Sequence, residues 1–203
     1  MKLIPSIIAV ATIFLSAQPA LARKSVINEL AGEVVAAARS ERPVTVSAQG
    51  TIEVAFSPNG GATDAVVRFI GEAKSSIRMA AYSLTSNPIG KALVEAKHRG
   101  VDIRLVIDKE HNGRRDSPNS VASFLAASGI PIRVDYAVSI QHQKTVTIDG
   151  ASVLNGSLNF SAAAEHSNRE SITIHRNNPE LAKVFLKNWE VMWSESQDFR
   201  APY

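Results

Sequence analysis

The chain contains no cysteine. That absence removes disulfides, thiolate nucleophiles and every cysteine-based zinc or iron–sulfur site, so any catalysis rests on histidine, lysine, serine or carboxylates. Aromatic residues are scarce, 6% with two tryptophans, and both tryptophans fall in one C-terminal helical pattern that reads as core rather than as a base-stacking surface. No sign of charge dominates: 22 Lys and Arg stand against 19 Asp and Glu, a formal +3 that permits a polyanionic partner without demanding one. There is no internal repeat, and beyond the first 22 residues no stretch is apolar enough to span a membrane. What remains, 203 residues with 45% hydrophobic and 20% charged side chains, fits one globular domain and excludes a disordered or collagen-like chain.

Residues 1–22 carry one charge, Lys2, then the apolar run Leu3 to Leu15, then Ala20-Leu21-Ala22. This is the three-part pattern of a secretory signal, and it predicts cleavage after Ala22, no stable membrane insertion afterwards, and a periplasmic or secreted protein. Residues 23–50 read as a short amphipathic helix, with Leu30, Val34, Val35 and Ala38 at helical spacing, followed by a linker.

The domain at 51–203 begins with an alternating strand, Ile52 to Phe56, and a Pro-Asn-Gly-Gly turn at 58–61. A helix bearing Val66, Val67, Phe69, Ile70 and Ala73 follows, then a strand from Ile77 to Leu84. Asn87-Pro88 is read as capping the next helix and Gly100 as ending it. Val101 to Ile107 is a strand, Ser117-Pro118 opens a helix with Val121, Phe124 and Leu125, Gly129 closes it, and Ile132 to Val134 is a strand. This alternation predicts an α/β layer fold. The second half switches to strands from Ile140 to Ile148 and Ala151 to Leu154 around the hairpin dipeptide Asp149-Gly150, then Ser171 to His175, so the sheet is mixed. A last helix starts at Asn178-Pro179 and carries Leu181, Val184, Phe185, Trp189 and Trp193.

The chemistry lies in 141–160. Residues i and i+2 on a strand share a face, so His142 and Lys144 are expected side by side, with Val146 and Ile148 continuing that face into the core. Ser157 and Asn159 repeat the spacing and offer a hydroxyl and an amide to one anion. Taken singly these two are turn formers; as a set with His142 and Lys144 they describe a phosphate pocket. Imidazole can attack phosphorus or protonate a leaving alkoxide, and lysine with neutral donors stabilises charge on the remaining oxygens. Asp149 stands at the hairpin with parity opposite to His142, and turn chemistry accounts for it as well as a site role does. His98 suits a helix end, while His166 and His175 have no evident partner. His111, in Asp108-Lys109-Glu110-His111, lacks the carboxylate spacing of a metal site. The same loop continues to Arg114 and Arg115, which read either as phosphate contacts at the mouth of the site or as a solvated loop.

The His-x-Lys-x4-Asp pattern at His142, Lys144 and Asp149, followed by Gly-Ser-x-Asn at 156–159, resembles the signature of the phospholipase D superfamily. Ser75, Ile77, Arg78, Met79, Ala81, Tyr82, Ser83, Lys91-Ala92-Leu93, Arg99 to Asp102, Ser128 to Pro131 and Glu170 extend the likeness to small bacterial endonucleases of the Nuc type, over roughly residues 52–203. The resemblance implies a mixed sheet sandwiched by helices, one half-unit per chain. It also implies that His142 is a nucleophile forming a phosphohistidine, that Lys144, Ser157 and Asn159 hold the phosphate, and that Glu170 orients the imidazole. No metal and no other cofactor is implied. With a single His-x-Lys motif, the chain is expected to form a homodimer with a composite active site, and its expected substrate is DNA, with RNA also open. A phosphatidyl hydrolase or transferase is the runner-up, and a non-catalytic anion-binding module is the third reading.

Overall fold

The computed structural model of the protein describes residues 43–110 and 120–200. The expectations for the signal segment, for the helix at 23–42, and for His111, Arg114, Arg115 and Ser117-Pro118 lie outside those residues. In chain order the elements are β1 (Thr51–Ser57), α1 (Ala62–Glu72), β2 (Ser76–Ala81), α2 (Asn87–His98), β3 (Asp102–Asp108), α3 (Val121–Ala127) and β4 (Ile132–Asp135). They continue with β5 (Lys144–Ile148), β6 (Ser152–Gly156), α4 (Ala162–His166), β7 (Glu170–Arg176), α5 (Pro179–Glu195) and β8 (Gln197–Asp198).

Among the described residues the eight strands form one sheet in the order β1-β7-β6-β5-β2-β3-β4-β8. The strand–helix alternation of the first half produces the parallel pairs β2–β3 and β3–β4, because each crossover helix returns the chain in the same direction. The hairpins of the second half produce the antiparallel run β2–β5–β6–β7–β1. The β5–β6 loop has three residues, since Ile148 pairs with Ser152; both Asp149 and Gly150 have positive φ, 54° and 63°, and Ala151 N–H closes the turn on Ile148 O at 3.0 Å. The mixed α/β sheet is therefore as the sequence predicts.

The sheet is covered on both faces. Ile77, Met79, Ala81, Ile103, Leu105, Ile107, Val146, Ile148 and Leu154 pack in one core with Phe69 and Ile70 of α1 and Leu93 and Ala96 of α2. Each fully buried side chain of this kind stabilises the fold by roughly 1.5–3 kcal/mol relative to exposure. On the opposite face Trp189 of α5 packs on Ala80 and Val106, and its indole N–H donates to Met79 O at 2.9 Å. The reading of the tryptophans as core holds for Trp189, which is buried; Trp193 stacks on it, partly exposed, beneath Arg133.

Several boundaries differ from expectation, and hydrogen bonding explains them. Strand β2 stops at Ala81 rather than Leu84, because Tyr82 N–H donates to Gln143 O and Ser83 O accepts from Phe160 N. Strand β5 starts at Lys144 rather than Ile140: Gln141 N–H goes to Asp108 Oδ2 and Gln143 N–H to Gln141 Oε1, so this stretch pairs with side chains instead of a neighbouring strand. The N-cap of α2 is Ser86, with Pro88 in its first turn, and α3 begins at Val121 behind Ser120, whose Oγ accepts from Ser123 N. Gly100 and Gly129 end their helices with positive φ, 90° and 74°, as expected.

Asp149 closes the far end of the β5–β6 hairpin. Its carboxylate accepts from the backbone N–H of Lys74, Ser75 and Ser76 at 3.0, 2.8 and 2.9 Å and from Ser75 Oγ at 2.9 Å, binding the α1–β2 loop to the hairpin. Burial works against its charge, but the hydrogen bonds from Ser76, Ser75 and Lys74 prevail and hold the group below the ordinary aspartate value. At the other end of β6, Gly156 lies so close to β7 that a Cβ would stand 2.2 Å from Ser171 O.

Two outcomes follow. Asp149→Asn is expected to cost about 1–2 kcal/mol at neutral pH, allowing for solvent screening. Because the folded pKa is depressed, the wild-type advantage should be complete above the unfolded value near 3.9 and fade as pH falls through the folded one, so denaturation curves of the two proteins should converge in acid. Gly156→Ala should cost about 3 kcal/mol, the upper range for overpacking, read as a lower denaturant midpoint.

Candidate active site

The mixed pairing directs specific strand ends to one edge of the sheet. Ala81 at the end of β2 pairs with Lys144 at the start of β5; Thr145 pairs with Asn155 near the end of β6, Gly156 with Ile172, and Ser57 at the end of β1 with Glu170 at the start of β7. Asp108 at the end of β3 joins the same edge through the pairing of Ala81 with Ile107. Ligands of open α/β sheets bind at the carboxyl ends of the parallel strands, where the sheet order reverses, and β2 is that point here.

Backbone hydrogen bonds tie the loops at this edge together. Tyr82 N–H donates to Gln143 O at 3.1 Å, Phe160 N–H to Ser83 O at 3.1 Å, and the N–H groups of Thr85 and Ser86 to Phe160 O at 2.8 and 2.9 Å. Leu158 and Phe160 are fully buried and anchor the 156–160 turn, so Ser157 and Asn159 alternate away from the core. Ser157 Oγ accepts from Ser171 N at 3.1 Å, which leaves its own proton to donate. Asn159 Oδ1 is buried and, among the described residues, has no hydrogen-bond partner.

Lys144 shares the inward face with Val146 and Ile148, as expected, and is only 5% exposed. Its Nζ donates to the carbonyl of His142 at 2.7 Å and lies 4.6 Å from the centre of the Tyr82 ring. Burial lowers its pKa, and the nearby carboxylates of Glu170 and Asp108 partly offset that. His142 precedes the strand, so strand parity does not set its direction. Its side chain is exposed, and its ring centre stands 4.4 Å from that of Tyr82, tilted by 59°. The Glu170 carboxylate accepts from Asn168 Nδ2 at 3.1 Å; among the described residues it makes no hydrogen bond to the imidazole. Asp149 sits at the opposite end of β5, five strand residues beyond His142's end, in the role of turn anchor.

Three residues at this edge were given no role by sequence reasoning. Asp108, 2% exposed, accepts from Gln141 N at 2.9 Å and Glu110 N at 2.8 Å and so fixes the approach to His142. Gln141 is buried and, among the described residues, its Nε2 has no hydrogen-bond partner. Tyr82 touches both His142 and Lys144. The available signal for Asp108 was a carboxylate ending an apolar parallel strand; for Tyr82 and Gln141 nothing local distinguishes them. Among the described residues no three His, Cys, Asp or Glu side chains gather as a metal site.

An exposed imidazole beside a desolvated ammonium, with a hydroxyl and an amide on the adjoining turn, is suited to bind a phosphodiester and attack it. Comparison with known proteins agrees. The family described as "Cardiolipin synthase, PLD-like domain" matches residues 66–193. A curated "Phospholipase D" of Rickettsia conorii is 33% identical over 138 residues, 68% of this chain and 67% of that protein. A "Mitochondrial cardiolipin hydrolase" of Xenopus laevis is 29% identical over 130 residues, 64% of this chain and 60% of its own length. The crystal structure of Nuc from Salmonella typhimurium, described as a phospholipase D family member, superimposes with a TM-score of 0.69 and 43% identity over 74% of this chain and 98% of Nuc. NucT from Helicobacter pylori shares the fold at a TM-score of 0.63 and 20% identity, over 73% of this chain and all of its own. The chain belongs to the phospholipase D superfamily and is a phosphodiesterase of that family.

Proposed function

We propose that the protein is an exported endonuclease that cleaves DNA without sequence preference, RNA remaining open as a second substrate, through a covalent phosphohistidine on His142. The observation that carries this reading is the meeting of His142, Lys144, Ser157 and Asn159 at one sheet edge in a chain that matches 98% of Nuc at 43% identity. A nitrogen of His142 attacks phosphorus; the bond to the leaving oxygen breaks, that oxygen takes the electron pair, and a second imidazolium supplies its proton. Water then attacks the same phosphorus, gives a proton to the second imidazole, and releases His142 as the phosphorus–nitrogen bond breaks. Lys144, the Ser157 hydroxyl and the Asn159 amide stabilise the charge on the remaining oxygens. Arg114 and Arg115 are the proposed contacts to flanking phosphates.

One imidazole cannot stand on both sides of phosphorus, and the chain has one His-x-Lys motif. The second imidazole is therefore assigned to His142 of an identical subunit across a two-fold axis. Exposed apolar side chains support such an interface. Ile52, Val54 and Phe56, 51–58% exposed, line the face of edge strand β1 that does not pack on α1, and Ile140, 54% exposed, precedes His142. The signal-like residues 1–22 support the exported location. A phosphatidyl hydrolase is the second reading, favoured by the names of the Rickettsia and Xenopus relatives.

The protein lacking residues 1–22 is expected to degrade supercoiled plasmid in excess chelator, since Lys144 and neutral donors supply the charge stabilisation, and His142→Ala should abolish this. Release of choline or ethanolamine from vesicles without plasmid degradation would instead establish the lipid reading. Light scattering should give a dimer mass, and mixed dimers of wild type and His142→Ala should be less active per remaining His142 than wild type. A fully active monomer would overturn the composite site.

A further inference from the structure

We infer that Tyr82 is the positioning residue of this site, its ring holding the His142 imidazole and the Lys144 ammonium at the spacing that attack on phosphorus requires. The inference rests on the phosphodiesterase reading and assigns to an aromatic ring the orienting task that the family resemblance gives to the Glu170 carboxylate.

The need for such a residue is visible in the backbone. His142 precedes β5, so no strand register fixes its side chain, which is exposed. The carboxylate expected to orient it accepts from Asn168. What does touch the imidazole is Tyr82, with ring centres 4.4 Å apart and a tilt of 59°, a close tilted contact between the two rings. Lys144 Nζ stands 4.6 Å from the centre of the same ring, a cation–π distance in a place where burial has removed much of the water that would compete.

Tyr82 is itself fixed. It follows β2 directly, and its N–H donates at 3.1 Å to the carbonyl of Gln143, the residue between His142 and Lys144. The next residue, Ser83, accepts from Phe160 N, so one short segment is bonded to the nucleophile loop and to the Ser157–Asn159 turn. Of the three ammonium protons of Lys144, one goes to His142 O and the ring face accommodates another direction, which leaves a donor for a phosphate oxygen.

The test compares Tyr82→Leu and Tyr82→Phe by steady-state kinetics on a diester substrate, thermal melting, and NMR of the His142 ring. Leu should lower kcat by about 10²-fold with KM held within about threefold, as expected for misplacement of a reacting group, and Phe should recover most of the loss. In the wild type the His142 Cε1–H resonance should carry a ring-current shift and show an ordered side chain, and Leu should abolish both. The NMR arm needs no turnover, so it stands if the nuclease reading fails. The inference is overturned if Leu keeps wild-type kcat, if Phe is as impaired as Leu, if the activity lost by Leu matches a loss of folded protein, or if the His142 ring is as ordered in Leu as in the wild type.

Discussion

A lysine ammonium withdrawn from water at the start of β5 sets what its neighbours must be. An isolated buried cation is costly, and the protein compensates with the carbonyl of His142, the face of Tyr82 and the field of Glu170 and Asp108. None of these satisfies the ammonium as an adjacent carboxylate hydrogen bond would. The site therefore keeps an unsatisfied appetite for an anion, to which the Ser157 hydroxyl on the neighbouring turn can also donate. A phosphodiester has the charge and the acceptor oxygens to take hydrogen bonds from both.

The sheet makes that arrangement possible. Pairing β2 in parallel with β3 and antiparallel with β5 brings strand ends of opposite polarity to one edge. The turn at 156–160 is then locked by Leu158 and Phe160 inside the core and by Gly156 against β7. Rigid anchoring beneath a short polar surface is what preorganised charge stabilisation demands.

Much of this was legible in the sequence because it is periodic or local. Alternation of strand and helix gave the parallel half, Asp149-Gly150 marked the hairpin, and the spacing of Lys144, Val146 and Ile148 fixed the inward face of β5. The remainder depends on partners distant in sequence. No pattern near Ile140 reveals that Asp108 draws the backbone of Gln141 out of the sheet, which shortens β5 and frees His142 from strand parity. Asp149 occupies a motif position, yet the four groups that donate to its carboxylate belong to residues 74–76, which only the folded chain brings close. Tyr82 lies in a stretch that resembles the Nuc-type enzymes, but its contact with both His142 and Lys144 follows from the β2–β5 pairing and not from its neighbours.

The central claim is that His142 carries the phosphoryl group between two half-reactions. Its most direct test is a rapid alkaline quench of the enzyme during turnover of a diester substrate, followed by peptide mass spectrometry under conditions that preserve phosphoramidates. The account predicts a phosphoryl adduct on the peptide containing His142, formed and consumed at rates compatible with turnover and absent from His142→Ala. Turnover at the full rate with no adduct on that peptide, or an adduct on a different side chain, would contradict it.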